Sequence, residues 1–178
     1  IIGENMNIRR FEKIHEENGL VVSYIHAGGK IGVLIDVETD KKSDAITEMG
    51  KNIAMQVAAL KPLYTSSTEV SADYIAKEKE ILLAQIQNDP KEASKPDNVI
   101  EGMVNGRIKK ELKEICLLDQ TYVRAEDGKQ SVAQYVEEVA KANSANIKIK
   151  GFIRFETGEG LEKKSEDFAA EVAKQMGV

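Results

Sequence analysis

The chain has 178 residues, of which 42% are hydrophobic and 31% charged, and its formal net charge is −5. This length suits one domain that buries roughly 70% of the surface of the unfolded chain. The acidic balance and the lack of a long basic run argue against nucleic acid as the primary partner, and the apolar runs are too short to span a bilayer. Cys116 is the only cysteine, so no internal disulfide can form, and this composition is typical of a reducing cytoplasm.

Residues 20–38 carry the clearest pattern and predict a β-hairpin. Two β-branched, apolar runs flank a turn at 27–30, where two consecutive glycines supply the positive φ values of a tight turn. The second run is apolar on both faces except at Gly32 and Asp36, which indicates an interior strand. Residues 7–15 alternate loosely and predict a preceding strand, joined to the hairpin by a turn at Asn18 and Gly19.

The chain then changes to helical periodicity. Residues 44–60 repeat apolar side chains at spacings of three and four, with Ser43 or Asp44 as the cap and Pro62 as the stop. Residues 71–88 predict a second helix, and a third begins near Pro96 and ends near residue 115. Each has a narrow apolar stripe and charged flanks, so we expect an antiparallel hairpin that projects from the domain. Packing of both helices against the core remains open as an alternative.

The last part of the chain predicts one helix, one strand and a final helix. Ser131 and Gln134 have the spacing of a capping box, and residues 146–156 form a strand candidate that would join the opening sheet. Ser165, followed by two acidic residues, starts a last helix that carries Phe168.

The predicted fold class is therefore α+β, with a small antiparallel sheet of three to four strands, helices packed on one face, and an inserted antiparallel helical hairpin. The predicted divisions are residues 1–70 for the first part of the core, 71–116 for the hairpin, and 117–178 for the rest of the core and the final helix.

The residues give little sign of catalysis. The two histidines, His15 and His26, lie in different predicted strands, and no spacing typical of a metal site occurs, so we expect neither a metal nor another cofactor. Cys116 has no neighbouring histidine, and a buried thiol is the simpler interpretation. The glycines at 158 and 160 stand beside acids that would repel a phosphate.

Six segments resemble, in order, successive motifs of the translation elongation factor Ts family. They are residues 2–10 (IGENMNIRR), 23–34 (SYIHAGGKIGVL), 53–59 (IAMQVAA), 106–110 (GRIKK), 115–118 (ICLL) and 151–173 (GFIRFETGEGLEKKSEDFAAEVA). Together they extend over nearly the whole chain, from residue 2 to residue 173. Two departures are that Ala27 stands where glycine is usual, and Gln56 where histidine is common.

The resemblance implies a guanine-nucleotide exchange factor that binds elongation factor Tu with its GDP and promotes GDP release. It implies no cofactor, no enzyme chemistry, and a place in the cytoplasm, of bacterial type with an organellar origin left open. The sheet is expected to hold the distal β domain of Tu, and the final helix to reach its nucleotide domain. The residues expected to contact Tu are Arg9, Tyr24, His26, Ala27, Gly28, Gly29 and Phe168.

The family also has an amino-terminal helical module and a first core half with a Thr-Asp-Phe-Val motif that reaches the magnesium site of Tu. These 178 residues contain neither, and they begin without methionine, so we expect a fragment that starts at the second core half. Asp167 and Phe168 match the carboxy-terminal motif and not that intruding segment.

Two other classes of function stay open. The chain would be a scaffold or dimerisation module if its helical hairpin pairs with a second copy, and the family resemblance also allows a homodimer. It would be a small-ligand enzyme if a site lay between the sheet and the hairpin, although no residue suggests a reaction. Capture of Tu in a pull-down separates the exchange factor from both.

Overall fold

A three-stranded antiparallel sheet forms the centre of the molecule, in a computed structural model that describes residue 3 and residues 8–161. Its strands are β1 (Gly19–His26), β2 (Ile31–Thr39) and β3 (Ile147–Glu156), and β2 lies between the other two. The predicted interior strand and the return of the late strand to the opening hairpin are both confirmed. The register pairs His26 with Ile31, and Ile31 in turn with Glu156.

Five helices accompany the sheet in the described part of the chain. They are α1 (Asp44–Leu60), α2 (Ala72–Asn88), α3 (Pro90–Ala93), α4 (Asp97–Ile115) and α5 (Val132–Asn143). The α+β class is thereby confirmed. Among the described residues, no helix combines the length and the apolar composition that a bilayer span requires.

Helix α1 covers one face of the sheet. The Ser43 hydroxyl accepts a hydrogen bond from the Ile46 amide at 3.3 Å and so caps its start, and the helix ends where Lys61 turns left-handed at φ 49°. The apolar stripe of α1 packs on alternate residues of the strands because side chains along a strand alternate between faces. The central members of this core are Val22, Val33, Ile35, Val37, Ile46, Met49, Ile53, Val57 and Ile149.

Helices α2 and α4 form the predicted antiparallel hairpin, and α3 is a single turn within its connection. A separate apolar cluster around Ile86, Val104 and Ile108 holds the two helices together. The Tyr74 hydroxyl donates to Glu111 at 2.6 Å, and Arg107 pairs with Glu92 at 2.8 Å. The hairpin thus has its own buried contacts, while the predicted divisions at 70/71 and 116/117 stay predictions.

The predicted strand at 7–15 is wrong for the residues that the structure describes. Residues 8–16 have no regular secondary structure, and Gly19 is not a turn residue but opens β1 opposite Glu38. Within residues 8–161, no backbone hydrogen bond joins residues 8–17 to the sheet. Side chains of Arg9, Arg10 and Glu16 attach this segment instead. Ile8 and Phe11 are 89% and 79% exposed, so the loose apolar alternation does not mark the buried face of a strand.

The predicted final helix from Ser165, with Phe168, lies outside the described residues. The described chain ends in a turn after β3, where the amide of Thr157 donates to the carbonyl of Lys30 at 2.8 Å. That bond ties the end of β3 to the turn between β1 and β2.

Candidate partner-binding surface

The turn between β1 and β2, residues 26–30, is the most exposed part of the sheet, and we call it the hairpin tip. Ala27, Gly28 and Gly29 have φ values of 51°, 66° and 96°, all in the left-handed region. A Cβ added at either glycine would meet nothing within 4 Å. The glycines are therefore required by the backbone conformation and not by packing, and they leave a surface that another backbone could approach closely.

Tyr24 and His26 stand on the same side of β1 because they are two residues apart. The Tyr24 hydroxyl lies 2.9 Å from Nδ1 of His26, and the ring centroids are 5.7 Å apart. The imidazole is exposed, whereas the tyrosine is half-buried against the core. The tyrosine thus holds an exposed histidine ring in place beside the glycines.

The face of the sheet away from α1, the open face, is apolar toward the hairpin tip. Ile25, Gly32 and Phe155 lie side by side across the three strands, and Ser23, Leu34 and Ile153 form the next row. Ile25 is 67% exposed, and Val21, four residues earlier on the same face, is 37% exposed. Exposed apolar side chains grouped beside a turn are typical of a protein-binding surface.

Arg9, a predicted site residue, lies at the hairpin-tip end of the sheet. Its guanidinium donates to the carbonyl of Glu159 at 2.8 Å. The neighbouring Arg10 pairs with the Glu159 carboxylate at 2.6 Å and lies 4.4 Å from the centroid of the Phe155 ring. Arg10 lowers the pKa of Glu159. The segment around Arg9 is thus attached to the turn that follows β3, beside the open face.

Sequence reasoning missed a second charged group at this end of the sheet. Lys61, just after α1, lies 2.9 Å from Glu156, and Arg154 lies 2.7 Å from the same carboxylate. These two cations, Lys61 foremost, lower the pKa of Glu156 to about 2. Arg154 and Glu156 share a face of β3 because they are two residues apart, but no local spacing in the sequence points to Lys61.

A cluster of two acids and one lysine marks the other half of the open face. The Glu16 carboxylate accepts hydrogen bonds from Lys150 and from the Asn18 amide, both at 2.8 Å, and its side chain is 3% exposed. Burial, and then the adjacent Glu16, raise the pKa of Asp36, while Lys150 lowers that of Glu16. Among the described atoms, Oδ1 of Asp36 is buried without a hydrogen-bond partner. The acid that interrupts the apolar run of β2 is therefore held beside a second acid.

Gln56, at the position where the resembled family commonly has histidine, is fully buried. Its amide donates to Gln120 and to the carbonyl of Thr121, both at 3.0 Å, and its oxygen accepts from the Val123 amide at 2.8 Å. The side chain therefore fastens the loop after α4 to α1 and does not face the candidate surface.

No group of three or more histidine, cysteine or acidic residues placed to hold a metal occurs among the described residues. Cys116 is fully buried, and burial raises the pKa of its thiol to about 11, so it is held as an unreactive thiol.

Of the predicted contact residues, the structure brings six to one end of the sheet. Tyr24, His26, Ala27, Gly28 and Gly29 form the hairpin tip and its flank, and Arg9 is connected to it through the turn after β3. Phe168 lies outside the described residues. Contact of these residues with a partner stays a prediction.

Comparison with known proteins identifies the family. The family model described as Elongation factor TS matches residues 1–159. The proteins named Elongation factor Ts of Clostridioides difficile (strain 630) and Clostridium botulinum (strain Eklund 17B / Type B) are 51% and 49% identical over 175 and 176 residues. These alignments cover 98% and 99% of this chain, but 55% and 56% of the relatives.

The protein of that name in Clostridium acetobutylicum is 49% identical over 175 residues, which are 98% of this chain and 55% of the relative. The chain thus spans little more than half the length of these curated relatives. The alignments with these relatives run almost from end to end of this chain, and the family match extends from its first residue to residue 159. This chain belongs to the elongation factor Ts family.

Proposed function

We propose that this chain acts in guanine-nucleotide exchange on elongation factor Tu, binding Tu with its GDP and promoting the release of GDP during protein synthesis. Family membership supports this role. The observation that carries it is the exposed hairpin tip, which lies in the segment 23–34 that resembles a family motif. Its setting is the cytoplasm, where translation elongation takes place.

The binding surface in this proposal consists of the hairpin tip and the apolar half of the open face. Burying exposed apolar side chains such as Ile25 against Tu supplies free energy at about 25 cal/mol per Å². The glycines of the tip allow backbone approach, and His26 and Lys30 are exposed polar groups that can fix the orientation of the partner. Such a surface binds a folded protein without any reactive side chain.

Exchange needs differential binding and not catalysis of a bond change. A factor accelerates GDP release only when it stabilises the nucleotide-free state of Tu relative to the GDP state, since equal affinity for both shifts nothing. In the family, a segment with Thr-Asp-Phe-Val is held responsible for much of this difference, and it does not occur in these 178 residues. We therefore expect this chain to bind Tu but to accelerate the release of GDP from Tu less than an intact relative does.

The test is stopped-flow release of a fluorescent GDP from Tu, with these 178 residues at saturation and with an intact relative in parallel. A loss of about 3 kcal/mol of differential binding corresponds to a rate roughly a hundredfold lower, at about 1.4 kcal/mol per factor of ten. The expected result is acceleration over Tu alone, but well below that of the intact relative. Release equal to that of Tu alone, at concentrations where binding is saturated, would contradict an exchange role for this chain.

A further inference from the structure

The neutral ring of His26 can carry its proton on either nitrogen, and the role of that proton toward Tu rests on the proposed function. A neutral imidazole carries its proton on one nitrogen, and the hydrogen bond made by the other nitrogen sets which one. Here the only side-chain hydrogen bond of the ring among the described residues joins Nδ1 to the Tyr24 hydroxyl, at 2.9 Å. The state of the exposed Nε2 is therefore decided by the direction of one hydrogen bond.

Two directions are possible, and their chemistry is unequal. If the tyrosine O–H donates, Nδ1 accepts and the proton of the neutral ring sits on Nε2. If Nδ1–H donates, the phenol oxygen accepts and Nε2 becomes an acceptor. A phenol is a good donor but a poor acceptor because its oxygen lone pair is delocalised into the ring, whereas a neutral imidazole nitrogen is a good acceptor. The first direction is therefore favoured.

We propose that Tyr24 is a positioning residue that holds His26 with its proton on Nε2, so that the hairpin tip presents a hydrogen-bond donor to an oxygen acceptor on elongation factor Tu. The exposed Lys30 adds a positive charge at the same turn, which favours a carboxylate as that acceptor. The neighbouring glycines carry no side chains that would keep this acceptor at a distance.

The hydroxyl of Tyr24 thus decides which kind of hydrogen-bonding group the exposed Nε2 of neutral His26 offers to Tu. Other acids at this end of the sheet are already paired, Glu156 with Lys61 and Arg154, and Glu159 with Arg10. Without the tyrosine hydroxyl, part of the neutral ring would carry its proton on Nδ1 and present an acceptor at Nε2.

The experiment compares the parent chain with Tyr24→Phe, which keeps the half-buried ring and removes only the hydroxyl. Nitrogen-15 spectra of the imidazole in the free chain at pH 8 are expected to show a protonated Nε2 and an unprotonated Nδ1 in the parent, and a mixture in Y24F. Affinity for Tu at pH 8 is expected to fall about three- to tenfold in Y24F, the range for one hydrogen bond.

Matched variants of His26 test which nitrogen matters. His26→Gln places an amide near the position of Nε2, whereas His26→Asn places one near Nδ1, so H26Q should retain more affinity than H26N. Melting temperatures of all variants close to that of the parent would show that the fold is kept.

A parent spectrum with the proton on Nδ1, or a Y24F chain with unchanged spectrum and affinity, would overturn the inference. A parent chain that fails to bind Tu at all would overturn the proposed function and the partner half of this inference, while the free-chain spectra still decide the role of Tyr24.

Discussion

The close approach of α1 to β1 predicts that Gly50→Ala destabilises the protein although alanine is the better helix former. A Cβ added at Gly50 would lie 2.5 Å from Cγ2 of Val22 and 3.0 Å from its Cβ, whereas ordinary contacts begin at 3.4 Å. Val22 is 4% exposed and belongs to the core. Helix and strand must therefore separate by about 0.9 Å at this point, or the valine must leave its rotamer.

The magnitude follows from two opposing effects. Overpacking a core typically costs about 1–3 kcal/mol, and replacing a helical glycine by alanine returns about 0.5–1 kcal/mol. The expected net loss is about 1–2 kcal/mol in the free energy of unfolding, or a melting temperature lower by about 2–8 °C for a chain of this size. Because Val22 lies two residues before Tyr24 on the same strand face, this contact also sets the position of the hairpin tip.

Gly106→Ala in α4 is the matched control. The added Cβ would meet nothing within 4 Å, and the position is exposed, so only the gain in helix propensity remains. Both variants are compared with the parent by urea unfolding followed by circular dichroism, with unchanged m values as the check that the unfolding transition is the same. A Gly50→Ala chain as stable as the parent, or stabilised as the control is, would refute the close packing of α1 on β1.

Three further outcomes follow from other positions. Ala27→Gly should raise the free energy of unfolding by up to about 1 kcal/mol. A non-glycine residue at φ 51° costs about 1–2 kcal/mol, whereas the greater freedom of glycine in the unfolded chain offsets about 0.4–1 kcal/mol of the gain. A lower melting temperature of the variant would contradict this. Asp36→Asn should stabilise the chain near pH 7 but not near pH 3. Burial raises the pKa of Asp36 in the folded chain, so the parent chain keeps the stability contributed by the protonated acid below the unfolded-state pKa and loses it as the pH rises through the folded-state pKa. If Asp36→Asn stabilised the chain equally at both pH values, this cause would be wrong. Replacing residues 78–108 by a short glycine–serine turn should leave a remainder that unfolds cooperatively, because the hairpin's buried cluster is separate from the core; loss of cooperativity in urea unfolding would show that the hairpin is part of the core.

The elements with local signals were predictable from the sequence. The bounds of α1 follow from Ser43 as a cap and Pro62 as a stop, and α5 begins at a capping box whose two reciprocal hydrogen bonds are both present. The hairpin of β1 and β2 follows from paired glycines between β-branched runs. In each case the decisive residues lie within a few positions of the boundary they set.

What the sequence could not predict depends on contacts between distant residues. Arg9 and Arg10 contact Glu159, some 150 positions away. These side-chain contacts attach the segment for which the sequence predicted a strand. Lys61 on Glu156 and Glu16 beside Asp36 are of the same kind. Alternation shows which side chains share a face, but it does not show which part of the chain covers that face, so the apolar open face became visible only with the strand order.

Calorimetric titration of these 178 residues into nucleotide-free Tu and into Tu with bound GDP measures whether this chain binds Tu and favours its nucleotide-free state. We expect saturable one-to-one binding to both forms, tighter for the nucleotide-free form. His26→Ala should weaken binding to both forms while the melting temperature of the variant stays near that of the parent. Equal affinity for the two forms, or binding that is unaffected by the substitution, would refute the proposed role.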